Sequence, residues 1–107
     1  MRYRHWGIAL LLLLVAPAVS GDPAPSRQAE LETLLYQDCG SCHGMTLRGG
    51  LGPSLLPERM ARYDVTALIG IILHGIPGTA MPPWSELLTR QDAAWLAEQL
   101  KKDAPPR

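Results

Sequence analysis

The chain has no phenylalanine, and three tryptophans with three tyrosines are its whole aromatic content. That excludes an interior built on aromatic rings, so Leu and Ile, with Trp and Tyr, have to fill it. It has no excess of charge, because ten Lys and Arg oppose ten Asp and Glu. The balance excludes the basic face that a nucleic-acid partner requires, and no stretch forms the basic amphipathic helix that binds membrane surfaces. No apolar run reaches the roughly 20 residues of a spanning helix. The longest, "GIALLLLLVAPAV" from Gly7 to Val19, has 13. Cysteine is scarce too: Cys39 and Cys42 are the only two, which rules out a zinc site made from two separated pairs. Glycine and proline are plentiful, ten of each, as a loop-rich fold demands.

The apolar run sits behind a basic start, "MRYRHW" with Arg2 and Arg4, and ahead of the small residues Ala18 and Ser20. This order reads as a secretory signal over residues 1–20, cut after Ser20 and leaving no stable membrane insertion. No cysteine follows the run to carry a lipid anchor. Loss of Arg2 and Arg4 leaves eight basic residues against ten acidic ones, on a chain of about 87 residues. A domain so small has a thin core and often needs a staple, metal or cofactor. Export also puts the two thiols in an oxidising compartment, where they do not stay idle.

The pattern divides the rest into a flexible lead-in at 21–26, one domain at 27–102 and a flexible tail at 103–107. "SRQAELETLLYQD" predicts a helix from Arg27 to Asp38 that runs into the cysteines, with Ser26 as its cap and Glu30 and Glu32 in its first turns. "GMTLRGGLGPSLLPERMARY" is a long loop ending in a helical turn that starts at Pro57. "DVTALIGIILHG" fits a helix capped by Asp64 and stopped by Gly75, although its β-branched residues also suit a buried strand. "IPGTAMPPWSELL" is a second loop. "TRQDAAWLAEQLKK" predicts a closing helix, with Thr89 and Asp92 as a capping box and Ala93, Leu96, Ala97 and Leu100 on one face. The expected class is all-α, three main helices with two long loops that need something to wrap around.

That something is suggested by "DCGSCHGM" at 38–45. Cysteines at i and i+3 followed by histidine admit a zinc site, a thiol–disulfide switch or a covalently attached haem. Zinc lacks its other ligands, since His74 is the only further histidine after the leader. A redox switch normally opens a helix behind a strand, and no such pattern is present. Haem attachment fits: Cys39 and Cys42 lie on one side of a helical turn, where each thiol can add to a vinyl group, and His43 follows toward the iron. For the opposite side of the iron the candidates are Met45, Met60, Met81 and His74. Met45 is too close to His43, Met60 belongs in a packed turn, and His74 suits a helix end. Met81 lies before Pro82 and Pro83, whose fixed φ stiffens a ligand arm. Pro53 offers a carbonyl for the other nitrogen of His43. Trp84 is either a cover for the haem edge or plain core, Tyr36 and Trp95 are contacts between the first and last helices, and Arg48, Arg59 and Arg62 are solvated or pair with a propionate.

On "CGSCH", the downstream Gly52–Pro53, the Met81 loop and a closing helix with Trp95, residues 27 to 102 resemble the class I cytochromes c. The longer stretches "DCGSCHGMTLRGGLGPSLLP" and "GIPGTAMPPW" are similar to the small NirC-type cytochromes c associated with cytochrome cd1 nitrite reductase. The resemblance implies a cytochrome c-like fold around one covalently bound haem c, with thioethers at Cys39 and Cys42. It also implies iron between His43 and Met81, and the Pro53 carbonyl accepting from His43. For function it implies a monomeric periplasmic electron carrier and no enzyme, taking electrons from an upstream donor and passing them to the nitrite reductase. Two other roles stay open: an accessory factor in maturing haem d1, and a haem-based ligand sensor or enzyme.

Overall fold

Helix α1 starts at Pro25 and runs to Leu34 in the computed structural model, which describes residues 7, 9–14 and 21–102. The start corrects the expected one. Pro25 occupies the first turn, where its missing N–H costs nothing, and Ala24 takes the cap position with no side-chain bond. Ser26 is therefore inside the helix and caps nothing, and Glu30 and Glu32 fall beyond the first turn. The preceding segment is tied down: Pro23 is buried, and its carbonyl accepts from Gln28 Nε2 at 2.9 Å.

Beyond Leu34 the rod does not end. It widens into one π-helical turn, Leu35–Cys39, and continues as α2, Gly40–His43. The Gly40 N–H reaches the Leu35 carbonyl five residues back. The wider turn brings Gly40 into phase with Leu35, and both are buried. Cys39 is left half-buried against the core, and Cys42 lies outside.

The remaining helices follow the sequence pattern. Helix α3, Pro57–Met60, opens on its proline. Helix α4, Val65–His74, is capped by Asp64, whose Oδ1 accepts from the Ala67 N–H at 2.6 Å, and it stops at Gly75. The β-branched run is thus helical. Helix α5, Arg90–Lys101, carries the expected capping box of Thr89 and Asp92. Among the described residues there is no strand, and no helix is long and apolar enough to cross a membrane.

The core is aliphatic, as a chain without phenylalanine requires. Leu31 of α1 and Leu96 of α5 are fully buried, and Leu68, Ile69 and Leu73 of α4 pack with Ala93, Ala97 and Leu100 of α5. Met60 lies in this cluster, while Tyr36, Trp84 and Trp95 pack on its margin. An ion pair joins the first and last helices: Arg27 Nη2 donates to Asp92 Oδ2 at 2.9 Å. Arg27 also donates to the Leu87 carbonyl and to Glu30. Asp92, 4% exposed, accepts the Thr89 N–H as well, so one carboxylate caps α5 and anchors α1. Arg27 above all, and then the Thr89 N–H, hold it below the usual carboxylate range against the opposing cost of burial. Within the expected leader, Leu10 to Leu14 are exposed. Its expected cut after Ser20 and the expected tail at 103–107 lie outside the described residues.

Candidate functional site

Helix α2 is one turn long, and its last carbonyls need partners. The loop from Gly44 to Leu55 supplies them by folding back. Gly49 N–H donates to the His43 carbonyl at 2.8 Å, and Gly52 N–H to the Cys42 carbonyl at 2.7 Å. The loop closes on itself where Leu55 N–H donates to the Leu47 carbonyl. Leu47 takes φ +60°, a conformation that a leucine seldom adopts, and buries its side chain at the loop's root.

This fold-back delivers Pro53 to the imidazole. His43 Nδ1 lies 2.7 Å from the Pro53 carbonyl oxygen. A carbonyl only accepts, so Nδ1 carries the proton and Nε2 keeps its lone pair. The ring also rests on Gly52. A Cβ at that position would stand 2.8 Å from both Cε1 and Nδ1. Orientation and tautomer of His43 are therefore fixed by two adjacent residues of one loop, as a metal-binding imidazole requires.

The two thiols stand in different surroundings and are not joined to each other. Burial, reinforced by Asp38, pushes the Cys39 thiol up to about 11, so it is protonated at neutral pH. Cys42 is exposed, with Ser41 Oγ 3.9 Å from its sulfur. Among the described residues, no three His, Cys, Asp or Glu side chains gather into a group able to hold a metal ion.

Met81 comes from the loop behind α4. Ile76 to Thr79 form a tight turn with Pro77 second and Gly78 third, the latter at φ +79°, and Thr79 N–H donates to the Ile76 carbonyl at 3.1 Å. Thr79 Oγ1 accepts from the Met81 N–H, and the Met81 carbonyl accepts from the Ile76 N–H at 3.2 Å. The loop is then sewn to α4, with Trp84 N–H on the Ile72 carbonyl and Ser85 N–H on that of Leu73. Met81 is half-buried here, Met45 is 60% exposed, and His74 is exposed at the end of α4. Arg48 and Arg62 are exposed and Arg59 is half-buried.

A fixed imidazole with a free Nε2, a pair of unjoined thiols one turn apart and a thioether on a braced loop suit a haem c. His43 Nε2 and the Met81 sulfur are the groups that could serve its iron, and Cys39 and Cys42 those that could take its edge. Sequence reasoning did not find the π-helical turn or the Arg27–Asp92 pair, and it did not show that Gly52 and Gly75 lie against the candidate ligand segments.

Residues 26–99 match the family model described as cytochrome c oxidase, cbb3-type, subunit III. The chain is 52% identical over 93 residues to cytochrome c55X of Paracoccus denitrificans, covering 87% of this chain and 90% of that one. The solved structure of the c-type cytochrome NirC superposes with a TM-score of 0.73 at 51% identity, over 74% of this chain and 93% of that chain. The dihydro-heme d1 dehydrogenase of Pseudomonas aeruginosa is 42% identical over 101 residues, which is 94% of this chain and 19% of that longer protein. With its all-α fold, its CxxCH helix end and these likenesses, the chain belongs to the cytochrome c family, as a small, haem c-binding cytochrome of the NirC type.

Proposed function

We propose that the chain is a monomeric periplasmic carrier of single electrons and a donor to cytochrome cd1 nitrite reductase. On this reading one haem c is linked through Cys39 and Cys42, and its iron is held by His43 and Met81. Residues 1–20 serve as the export signal, 21–26 as a lead-in, 27–102 as the haem domain and 103–107 as a tail. The observation that carries the reading is the imidazole of His43, proton fixed on Nδ1 by Pro53 and ring backed by Gly52, with Nε2 left to donate. The likeness to NirC supports the place in nitrite reduction.

When bound, the haem supplies a one-electron ferric–ferrous couple. The chain's residues set its terms. Thioethers at Cys39 and Cys42 keep the group from dissociating. The Pro53 carbonyl makes the His43 imidazole a stronger donor, which favours the ferric state. Met81 brings a soft sulfur that favours the ferrous state and raises the potential. Trp84, half-buried at the end of the methionine loop and packed on the core margin, would cover the haem edge. On this reading partners meet the haem edge near Cys42, and Met45, Leu51 and Pro82, which would flank it, are exposed. Such encounters are small, below roughly 1,200 Å².

A visible spectrum with pyridine haemochrome analysis of the exported protein tests this. One thioether-linked haem per chain is expected, and colourless mature protein from cells able to attach haem refutes it. A second reading has its own support in the identity with the dihydro-heme d1 dehydrogenase over nearly the whole chain. It makes this protein an accessory in maturing haem d1. Deleting the gene separates the two: d1-free reductase favours the accessory role, and d1-loaded reductase starved of electrons favours the donor.

A further inference from the structure

Helix α4 ends at Gly75, and the way it ends is unusual. An ordinary glycine stop takes a left-handed conformation with both angles positive and modest. Gly75 has φ +67° and ψ −169°, a region open essentially to glycine alone. The extended ψ turns the chain so that it doubles back against its own return strand of loop. A Cβ on Gly75 would stand 2.5 Å from the Met81 carbonyl oxygen, 2.8 Å from the Pro82 carbonyl carbon and 2.9 Å from the Pro83 nitrogen. All three are backbone atoms, so no side chain can swing aside to make room. Pro82 and Pro83 hold φ near −65° and absorb little of a displacement by rotation. A push at this point therefore moves Met81 together with the prolines. The neighbouring bond, Ile76 N–H to the Met81 carbonyl, ties the same two segments one residue further along.

We propose that Gly75 is a positioning residue for Met81: its missing side chain sets how closely the Met81–Pro82–Pro83 backbone approaches the end of α4, and through it where the Met81 sulfur stands relative to the iron. The inference rests on Met81 as the iron ligand. The same loop supplies a comparison residue. Gly78 also has a positive φ, +79°, but a Cβ there would meet nothing within 4 Å. Alanine at Gly78 strains the loop without touching the methionine segment, whereas alanine at Gly75 does both.

The test uses exported holoprotein carrying Gly75→Ala, Gly78→Ala or Met81→Ala. The readouts are the long-wavelength charge-transfer band of a ferric thioether complex, the reduction potential, and carbon monoxide affinity of the reduced form. Gly75→Ala is expected to keep its attached haem and helical circular dichroism, to lose most of the band, to fall in potential, and to bind carbon monoxide ~10-fold or more tightly. Gly78→Ala is expected to keep the band. A Gly75→Ala protein with an unchanged band and unchanged carbon monoxide affinity overturns the proposal, and so does equal loss in Gly78→Ala. If Gly75→Ala does not fold, Gly75→Ala/Pro83→Gly gives the methionine segment slack. Recovery of the band there supports positioning, and failure to recover it counts against. Met81→Ala with an unaltered band refutes the ligand assignment itself, which is a distinct result.

Discussion

The two loops that hold the candidate iron ligands are built on opposite plans. The loop from Gly44 to Leu55 reaches into a helix end, satisfies the carbonyls of Cys42 and His43, and grips the imidazole directly through Pro53 and Gly52. The loop from Gly75 to Pro83 holds the main chain of Met81, through the Gly75 contact, the Thr79 hydroxyl and turn, and two prolines with no N–H. One ligand is fixed at the ring and the other at the main chain. On the proposed function, the histidine side, next to both thioether cysteines, governs how the haem is held, and the methionine side how the iron is tuned.

The sharpest way to break this contrast is to remove each ligand. His43→Ala should lose most of the stably incorporated haem, whereas Met81→Ala should keep it attached, lower the potential and open the iron to carbon monoxide. Haem stoichiometry and a redox titration check both. Equal haem loss in the two variants would erase the contrast.

Next in size is the backing of the imidazole. In Gly52→Ala a methyl group would enter the 2.8 Å approach to Cε1 and Nδ1. The ring must turn, and the Nδ1–H bond to Pro53 must lengthen. Overpacking of this kind costs about 1–3 kcal/mol, measurable by denaturant unfolding. A weaker bond to Pro53 makes a weaker donor, so the potential should rise. That is opposite in sign to the fall expected for Gly75→Ala, and a shift of the same sign in both variants would defeat the division of roles.

The methionine loop also depends on an anchor at its far end. Arg27 holds the Leu87 carbonyl while pairing with Asp92, and Asp92 caps α5. Asp92→Ala should destabilise the protein by ~2 kcal/mol at pH 7, since hydrogen bonds to charged groups contribute 1.5–3 kcal/mol. The Asp92 carboxyl titrates below its ordinary range in the fold, so its contribution is complete above roughly pH 4 and is lost as the pH falls through the lowered value. Wild-type protein should lose stability steeply below that point, and the alanine variant less so. Parallel acid titration of the two would refute the linkage.

Much of this was legible in the sequence because it is local. Pro57, Asp64, Gly75 and the Thr89–Asp92 box mark helix ends through atoms within a few residues of each other. His43, the last residue of α2, and Pro53, in the loop that follows it, are ten apart, and their meeting was expected. What stayed hidden depends on packing. Nothing in "LYQDC" announces a π-helical turn, because the register is set by Gly40 going into the core. Arg27 and Asp92 are 65 residues apart, and Asp92 read only as half of a capping box, whereas its carboxylate also takes a distant partner. Ser26 looked like a cap because its type is right, but Pro25 beside it starts the helix first. Gly75 read as a stop signal; only the folded chain shows that it also abuts Met81.

The smallest expected effect concerns which loop a partner feels. Leu51 of the histidine loop is 95% exposed and Ile76 of the methionine loop 43%. An aspartate at either place adds one charge and removes apolar contact, but the more exposed site loses more surface on docking. Leu51→Asp should therefore slow electron transfer to a redox partner more than Ile76→Asp, by a few-fold against less than about two-fold, in stopped-flow measurements. With ten basic residues against ten acidic ones, or eight against ten without the expected leader, long-range steering is weak. Raising salt should then change the wild-type rate only modestly, while the aspartate variants acquire a salt dependence set by the partner's charge. A steep salt dependence in the wild type would show that charge, and not the apolar rim of the histidine loop, governs the encounter.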